Sequence, residues 1–309
     1  MNKLKNSLTA DEKALFNEWM KKRKELAEDS LKECLDRLFA EKQMIHEVMT
    51  YAVYNGGKRL RPILVFEGAA IAGAELKKVI PAACAMEMIH CYSLVHDDLP
   101  AMDDDDFRRG KPTCHKVFGE DIAILTGDAL LTAAFELIAQ NAAFAPIKAE
   151  RALQVISEVS KAAGSRGMIG GQVIDLQSEG KNIEFSTLQT LHSLKTGALF
   201  KAALRSGAIL GGMDSTGLEK ITSFAHSFGL LFQITDDLLD VRGDAELMGK
   251  PIGSDIKNQK TTYPSLFGIE RTEEIARRMV DECLSSLEYF GPAANFLREL
   301  TWFTLVRNN

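Results

Sequence analysis

The 309-residue chain has no excess of positive charge: 37 Lys and Arg against 43 Asp and Glu leave a formal net charge of −6. A nucleic-acid binder needs a basic face for the phosphate backbone, so that class of partner is set aside. Any polyanionic ligand must then be met by locally placed Lys and Arg, or by metal. Cysteine is sparse and unpatterned: Cys34, Cys84, Cys91, Cys114 and Cys283 are odd in number, without CxxC spacing and mostly in apolar surroundings. They read as reduced, buried thiols of a cytoplasmic protein. The opening residues MNKLKNSLTADEK carry no apolar stretch behind their positive charges, so no signal peptide is expected. No uninterrupted apolar run of bilayer-spanning length is expected either, because Glu67, Lys77, Lys78 and Glu87 interrupt the most apolar region. Alternating β-branched runs are nearly missing, and no Ser/Pro-rich linker or composition shift divides the chain.

What fills the chain instead is Ala, Leu, Met, Glu and Lys. These are strong helix formers, and the expectation is an all-α helical bundle forming one domain over residues 1–309. Helices are drawn through 11–27, 30–54, 61–73, 76–98, 119–140, 148–163, 187–205, 215–239, 261–268, 271–289 and 292–307. Asn55-Gly56-Gly57 ends one helix and Pro62 suits the first turn of the next, while Thr187 and Ser215 are candidate N-caps. The segment 162–172 is rich in glycine inside helical sequence. Each glycine there costs roughly 1 kcal/mol relative to Ala, so either a kink or loop separates two helices, or the backbone must approach a ligand, with Gln172 and Asp175 on one face turned toward it. A dinucleotide loop is excluded because no strand precedes it.

Two acidic clusters stand at the ends of apolar helical stretches: Asp97, Asp98 and Asp103 to Asp106 after MEMIHCYSLVH, and Asp236, Asp237 and Asp240 after FGLLFQIT. Asp236 and Asp240, four apart, share a helix face among core residues, while Asp237 points about 100° away. Regular helix would not align Asp97 with Asp103, but Pro100 disfavours helical geometry at Leu99, so the chain should loosen and let Asp103 swing back. A calcium loop is ruled out, since DDLPAMDDDDFR lacks the central Gly and terminal Glu. Asp104 to Asp106 are read as solvated or paired with Arg108 and Arg109. If the two helix faces meet across one cavity, that much negative charge demands multivalent cations, and hard oxygen ligands point to Mg²⁺. Cations held in that way bind diphosphate.

The basic residues are placed to match. Lys58, Arg59 and Arg61 follow a Gly-Gly turn and open a helix, where side-chain charge and free N–H groups could converge on an anion. Arg108 and Arg109 form a second pair suited to bidentate phosphate contacts. His90 lies seven residues before Asp97, roughly 10.5 Å along nearly the same face. Lys195-Thr196-Gly197, Lys250 and Lys260 with Tyr263 complete the set; lysines in apolar or Gly-rich context are costly unless they reach a partner.

Taken in order, GGKRLRP, DDLPAMDDDDFRRGKP, GMIGGQ, KTGALF, FQITDDLLD and GKPIGSD with KTTYP resemble the motif series of the trans-isoprenyl diphosphate synthases. The resemblance is greatest to the bacterial farnesyl diphosphate synthases, which share the longer DDxxxxD spacing of Asp97, Asp98 and Asp103. It implies the isoprenoid synthase fold around a deep central cavity, a homodimer, three Mg²⁺ per active site, and head-to-tail joining of isopentenyl diphosphate to dimethylallyl or geranyl diphosphate. Carried over, Asp97, Asp98, Asp103, Asp236 and Asp240 are metal ligands. Arg108, Lys195 and Lys250 neutralise the allylic diphosphate, Lys58, Arg61, His90 and Arg109 bind the isopentenyl diphosphate, and Lys260 is a further substrate-binding residue. Thr196 and Gln233 face the allylic cation. Tyr92, five residues before Asp97 and about 7.5 Å along the axis, resembles the floor of a fifteen-carbon site. A geranyl or geranylgeranyl synthase uses the same machinery. A terpene cyclase has no second diphosphate to hold, and the intact aspartates speak against an inactive regulatory subunit.

Overall fold

A computed structural model of the chain describes residues 10–39, 41, 43–144, 147–242 and 261–307; Lys250 and Lys260 lie outside them. The described chain is almost entirely helical and separates into two compact units: Met1–Met20, Glu158–Arg205 and Met213–Asn309 form one, and Lys21–Ser157 with Ser206–Gly212 the other. Helices α1 (Ala10–Leu38), α7 (Ala149–Ala163) and α10 (Ala198–Gly211) contribute residues to both.

In the unit that contains residues 21–157, α4 (Ile80–Asp97) is buried along most of its length and packs on α3 (Leu60–Ile71) and α6 (Glu120–Phe144). Its start is closed by Asn141 of α6, fully buried, whose Oδ1 accepts from Ala82 N at 2.9 Å and whose Nδ2 donates to Lys78 O at 2.6 Å. One amide thus satisfies groups that a helix start leaves unpaired. Gly207 of α10 sits against α3 so closely that a Cβ would lie 1.9 Å from Val65 O. Glu87, midway along α4, is buried against Arg59, whose Nη1 donates to Glu87 Oε1 at 2.8 Å. By length and composition Leu76–Asp97 and Glu120–Asn141 would each reach across a membrane, contrary to expectation for the apolar runs; 72% of the first one's most apolar window is buried within the protein.

In the other unit α11 (Ser215–Arg242) packs along α13 (Ile269–Leu287), with Leu231, Ile234, Tyr263, Ile275 and Val280 in a shared core. The turns of α13 that face α11 bury Thr272, Ile275, Ala276, Val280, Cys283 and Leu287, the spacing of one helical stripe. α12 (Tyr263–Phe267) precedes it behind a Thr262/Ser265 capping box, and α14 (Asn295–Val306) closes the chain.

Several local expectations move. The break drawn at 28–29 is absent, since α1 runs on to Leu38, and the next helix, α2 (Met44–Val53), begins only at Met44. The cap of α11 is Asp214, whose Oδ1 accepts from Gly217 N at 2.7 Å, one residue before Ser215. Thr187 lies inside α9 (Phe185–His192) rather than ahead of it. The glycine-rich segment turns at 164–167 and continues as α8 (Met168–Ser178). A short helix α5 (Cys114–Phe118) and a two-residue hairpin, β1 (Phe107–Arg108) with β2 (Lys111–Pro112), were not anticipated. Arg109 and Gly110 make its turn with φ of +55° and +78°, the mirror-image turn whose twist suits adjacent strands. All five cysteines are free and buried, as expected.

Candidate active site

The first aspartate cluster begins where α4 ends. Asp98 N still donates to Leu94 O, after which Asp103 N donates to Asp97 O at 2.8 Å and Asp104 N to Leu99 O at 3.2 Å. The chain doubles back as the proline suggested, and residue 103 returns to one hydrogen bond from residue 97. Asp104 takes the left-handed region at φ +52°, which a short polar side chain tolerates. The carboxylate of Asp98 is buried and holds Arg108, with Nε at 2.6 Å and Nη2 at 2.5 Å from Oδ1. Burial raises the Asp98 pKa and Arg108 lowers it. Asp105 lies 3.4 Å from Arg108, and Asp106 pairs with Lys116 at 2.7 Å. A grouping that sequence reading missed is Asp104, Asp106 and His115, whose donor atoms lie within 4.8 Å of one another; only folding brings the histidine of α5 back onto that loop.

The basic residues of the same unit gather around His90. Its imidazole is pushed well below its ordinary pKa by desolvation first and then by Arg61, Arg109, Arg108 and Arg59. Arg61 falls to about 10 for the same leading reason, with Arg109 lowering it further against the pull of Glu87. Arg109 is lowered too, by burial and, against the pull of Cys91 and Glu87, by Arg59 and Arg108. Desolvation leads each of these three shifts, and the neighbouring guanidinium groups add to it, which places positive charge close to His90. Arg59 is the exception within GGKRLRP: it is left-handed at φ +53°, 2% exposed and tied to Glu87, so it carries structure while Lys58 is exposed and Arg61 half-buried. The two glycines before it have a physical reason. Gly56 and Gly57 take φ of +96° and +123°, the Gly56 carbonyl accepts from Arg109 Nη1, and a Cβ on Gly57 would lie 2.6 Å from that atom. The turn is the seat of the Arg109 guanidinium.

In the other unit the second cluster divides by role. Asp237 is buried and accepts from Tyr263 N at 3.0 Å, as its offset from Asp236 and Asp240 implied. Asp236 is half-buried and receives Arg307 Nη2 at 2.6 Å, while Asp240 is 2% exposed. Arg307, which sequence reading missed, also donates to Phe232 O at 3.1 Å and lies over the Phe232 ring at 4.1 Å. Lys195, Thr196 and Gly197 belong to a π-helical turn, Ser193–Gly197, a distortion that recurs at functional sites. Lys195 Nζ meets Asp175 at 2.5 Å and Thr196 Oγ1 donates to Gln233 Oε1 at 3.0 Å. Two glycines from neighbouring helices make the close approach to this turn: a Cβ on Gly171 of α8 would lie 2.3 Å from Lys195 N, and one on Gly229 of α11 would lie 3.0 Å from Gly197 Cα. Within each unit the aspartate pair, Asp97 with Asp103 and Asp236 with Asp240, offers carboxylate oxygen, the donor chemistry that suits a hard divalent cation such as Mg²⁺.

Residues 42–289 match the family model described as polyprenyl synthetase. A geranylgeranyl diphosphate synthase of Cyanophora paradoxa is 44% identical over 292 residues, covering 94% of this chain and 96% of that protein. A farnesyl diphosphate synthase of Geobacillus stearothermophilus is 43% identical over 262 residues, covering 83% and 86%. Among solved structures, an FPP/GFPP synthase of Zymomonas mobilis superposes with a TM-score of 0.82 at 34% identity over 95% of this chain and 99% of that one. The all-α architecture is thus the isoprenoid synthase fold. With its ordered aspartate and basic motifs and this extent of likeness, the chain belongs to the polyprenyl synthetase family and is a short-chain trans-prenyltransferase.

Proposed function

We propose that the chain condenses isopentenyl diphosphate with dimethylallyl and then geranyl diphosphate to give farnesyl diphosphate. The observation that carries this reading is the cationic nest of Arg61, Arg109 and neutral His90, a ready receptor for the diphosphate of the acceptor substrate. Lys58 stands at its edge, and the Gly56-Gly57 seat holds Arg109 in place. Asp97 and Asp103, with Asp236 and Asp240, hold the Mg²⁺ ions of the allylic diphosphate, taken as three per active site. Bound there, Mg²⁺ supplies the Lewis-acid neutralisation that makes diphosphate a leaving group. Asp98, expected as a metal ligand, is instead paired with Arg108, and on this reading acts through it by aiming the guanidinium at the same diphosphate. Lys195 and Lys250 add positive charge, and Lys260 is taken as a further substrate-binding residue. The Thr196 hydroxyl and the Gln233 amide present oxygen dipoles to the allylic cation, and the apolar walls keep out water that would quench it. With no His or Glu placed as base among the described residues, the departing pyrophosphate takes the proton.

The fifteen-carbon product rests on Tyr92, which is buried one turn and more below Asp97. A geranylgeranyl product is the second reading, favoured by a relative of that name at 44% identity. The protein is further proposed to be a cytoplasmic homodimer; α6 exposes Ile124 and Leu125 at 46% and 56%, an apolar strip that a second copy would cover, and light scattering measures that mass. The deciding experiment supplies labelled isopentenyl diphosphate with each allylic starter, with and without EDTA, and sizes the products. A fifteen-carbon product abolished by EDTA is expected, and Tyr92→Ala should lengthen it to twenty carbons or more. A twenty-carbon product from the unaltered enzyme would reject the farnesyl assignment.

A further inference from the structure

Tyr92 is buried, yet its hydroxyl has no hydrogen-bond partner among the described residues. A buried tyrosine is ordinarily fixed by that bond, so here the ring is held by packing alone. One turn on, His96 meets it edge to face, with ring centroids 5.8 Å apart and planes at 80°. His96 is itself pinned to α6: its Nε2 lies 3.0 Å from Ile124 O, and because a carbonyl only accepts, that nitrogen carries the proton. The imidazole fills the space over Gly127, where a Cβ would fall 2.0 Å from Nε2 and 2.4 Å from Cδ2. No side chain at 127 coexists with this histidine position. Tyr92, His96 and Gly127 thus form a relay from one helix to its neighbour.

We infer that His96, seated on Gly127, is a positioning residue for product length: it props the Tyr92 ring across the path of the growing chain. This rests on the reading of Tyr92 as the floor of the cavity. Without the prop, the unbonded ring has no polar anchor and tilts aside under a lengthening prenyl tail. His96→Ala removes the prop, Gly127→Ala displaces it without deleting it, and His96→Phe restores a ring at the edge of Tyr92.

The test measures the ratio of twenty-carbon to fifteen-carbon product in the Mg²⁺-loaded enzyme, alongside kcat and KM for isopentenyl diphosphate. The variants are these three, Tyr92→Ala, and the double variant Tyr92→Ala/His96→Ala. The ratio should rise at least several-fold in His96→Ala and Gly127→Ala and return toward the parent value in His96→Phe. The double variant should match Tyr92→Ala, since the prop has nothing left to support. A fall in kcat without a change in ratio in His96→Ala and Gly127→Ala reduces His96 to a structural residue and overturns the inference. So does a double variant with products longer than those of Tyr92→Ala, for His96 would then act on length by itself. An unchanged ratio in Tyr92→Ala alone removes the floor reading instead, a separate failure. Should His96→Ala not fold, Gly127→Ala and His96→Phe carry the same contrast.

Discussion

Arg307 donates through Nη2 to Asp236 Oδ1 at 2.6 Å, with its side chain only 6% exposed and the ring of Phe232 beneath it. The last described residue of the chain therefore places a fixed positive charge on an aspartate assigned to metal binding. Burial lowers the Arg307 pKa, and Asp236 acts against that shift.

A divalent ion at Asp236 must compete with that guanidinium. Arg307→Gln should tighten Mn²⁺ binding about five-fold, roughly 1 kcal/mol for a pair whose carboxylate is partly solvated. Asp236→Asn should weaken it by more than ten-fold. Titration followed by electron paramagnetic resonance of free Mn²⁺ reads both, and equal affinities in all three proteins would separate Asp236 from the metal.

Gly171 lets α8 approach the π-helical turn that carries Lys195 and Thr196. Because the obstructing atoms are backbone, Gly171→Ala must shift that turn rather than rotate a side chain. Overpacking of this kind costs about 1–3 kcal/mol. Denaturant titration should show that loss, and steady-state assays should show turnover reduced at least ten-fold; wild-type turnover in a folded variant would mean the turn tolerates displacement.

The orphaned hydroxyl of Tyr92 is a cost to folding of about 1–3 kcal/mol. Burial also pushes its pKa up to about 12, with Asp97 adding to the shift, so it stays protonated at any working pH. Tyr92→Phe should leave stability unchanged or raise it by about that amount while keeping the product length. A destabilised Phe variant, measured by urea unfolding, would reveal a bond to the hydroxyl.

His192 is buried and stacked on Tyr263 with ring centroids 5.7 Å apart. Desolvation, with Lys195 acting in the same direction against Asp175, lowers its pKa to about 4, and His90 is depressed as well. The unfolded chain binds these protons near pH 6.5, so stability is complete above that pH and drains away as pH falls toward 4. For His192 the loss amounts to at most about 3 kcal/mol. His192→Gln should flatten the pH dependence of the unfolding midpoint between 6.5 and 4; an unaltered slope would place the acid sensitivity elsewhere.

Much of this was legible in the chain before folding. Helix composition, the i, i+4 pairing of Asp236 with Asp240, the divergence of Asp237, the loosening of the helix around Pro100 and the Gly-Gly turn before Lys58 all depend on residues within a turn or two of each other. Local backbone geometry governs such features, and they survive in any context. Arg59 shows where that reasoning stops: it stands in a basic motif, yet its partner Glu87 lies 28 residues away and makes it a buried strut.

Other assignments needed the folded chain for the same reason. The glycines at 171 and 127 are written plainly, but the atoms they make room for belong to other helices. Arg307 reaches Asp236 across 71 residues of sequence, and the partnerless hydroxyl of Tyr92 is invisible until its neighbours are placed. Short-range order follows from the identity of adjacent residues, so it established the helical class, the motif order and the aspartate faces. Contacts between distant segments are set by how helices pack, and packing alone chose which charges are paired, which glycines are indispensable and which ring leans on which.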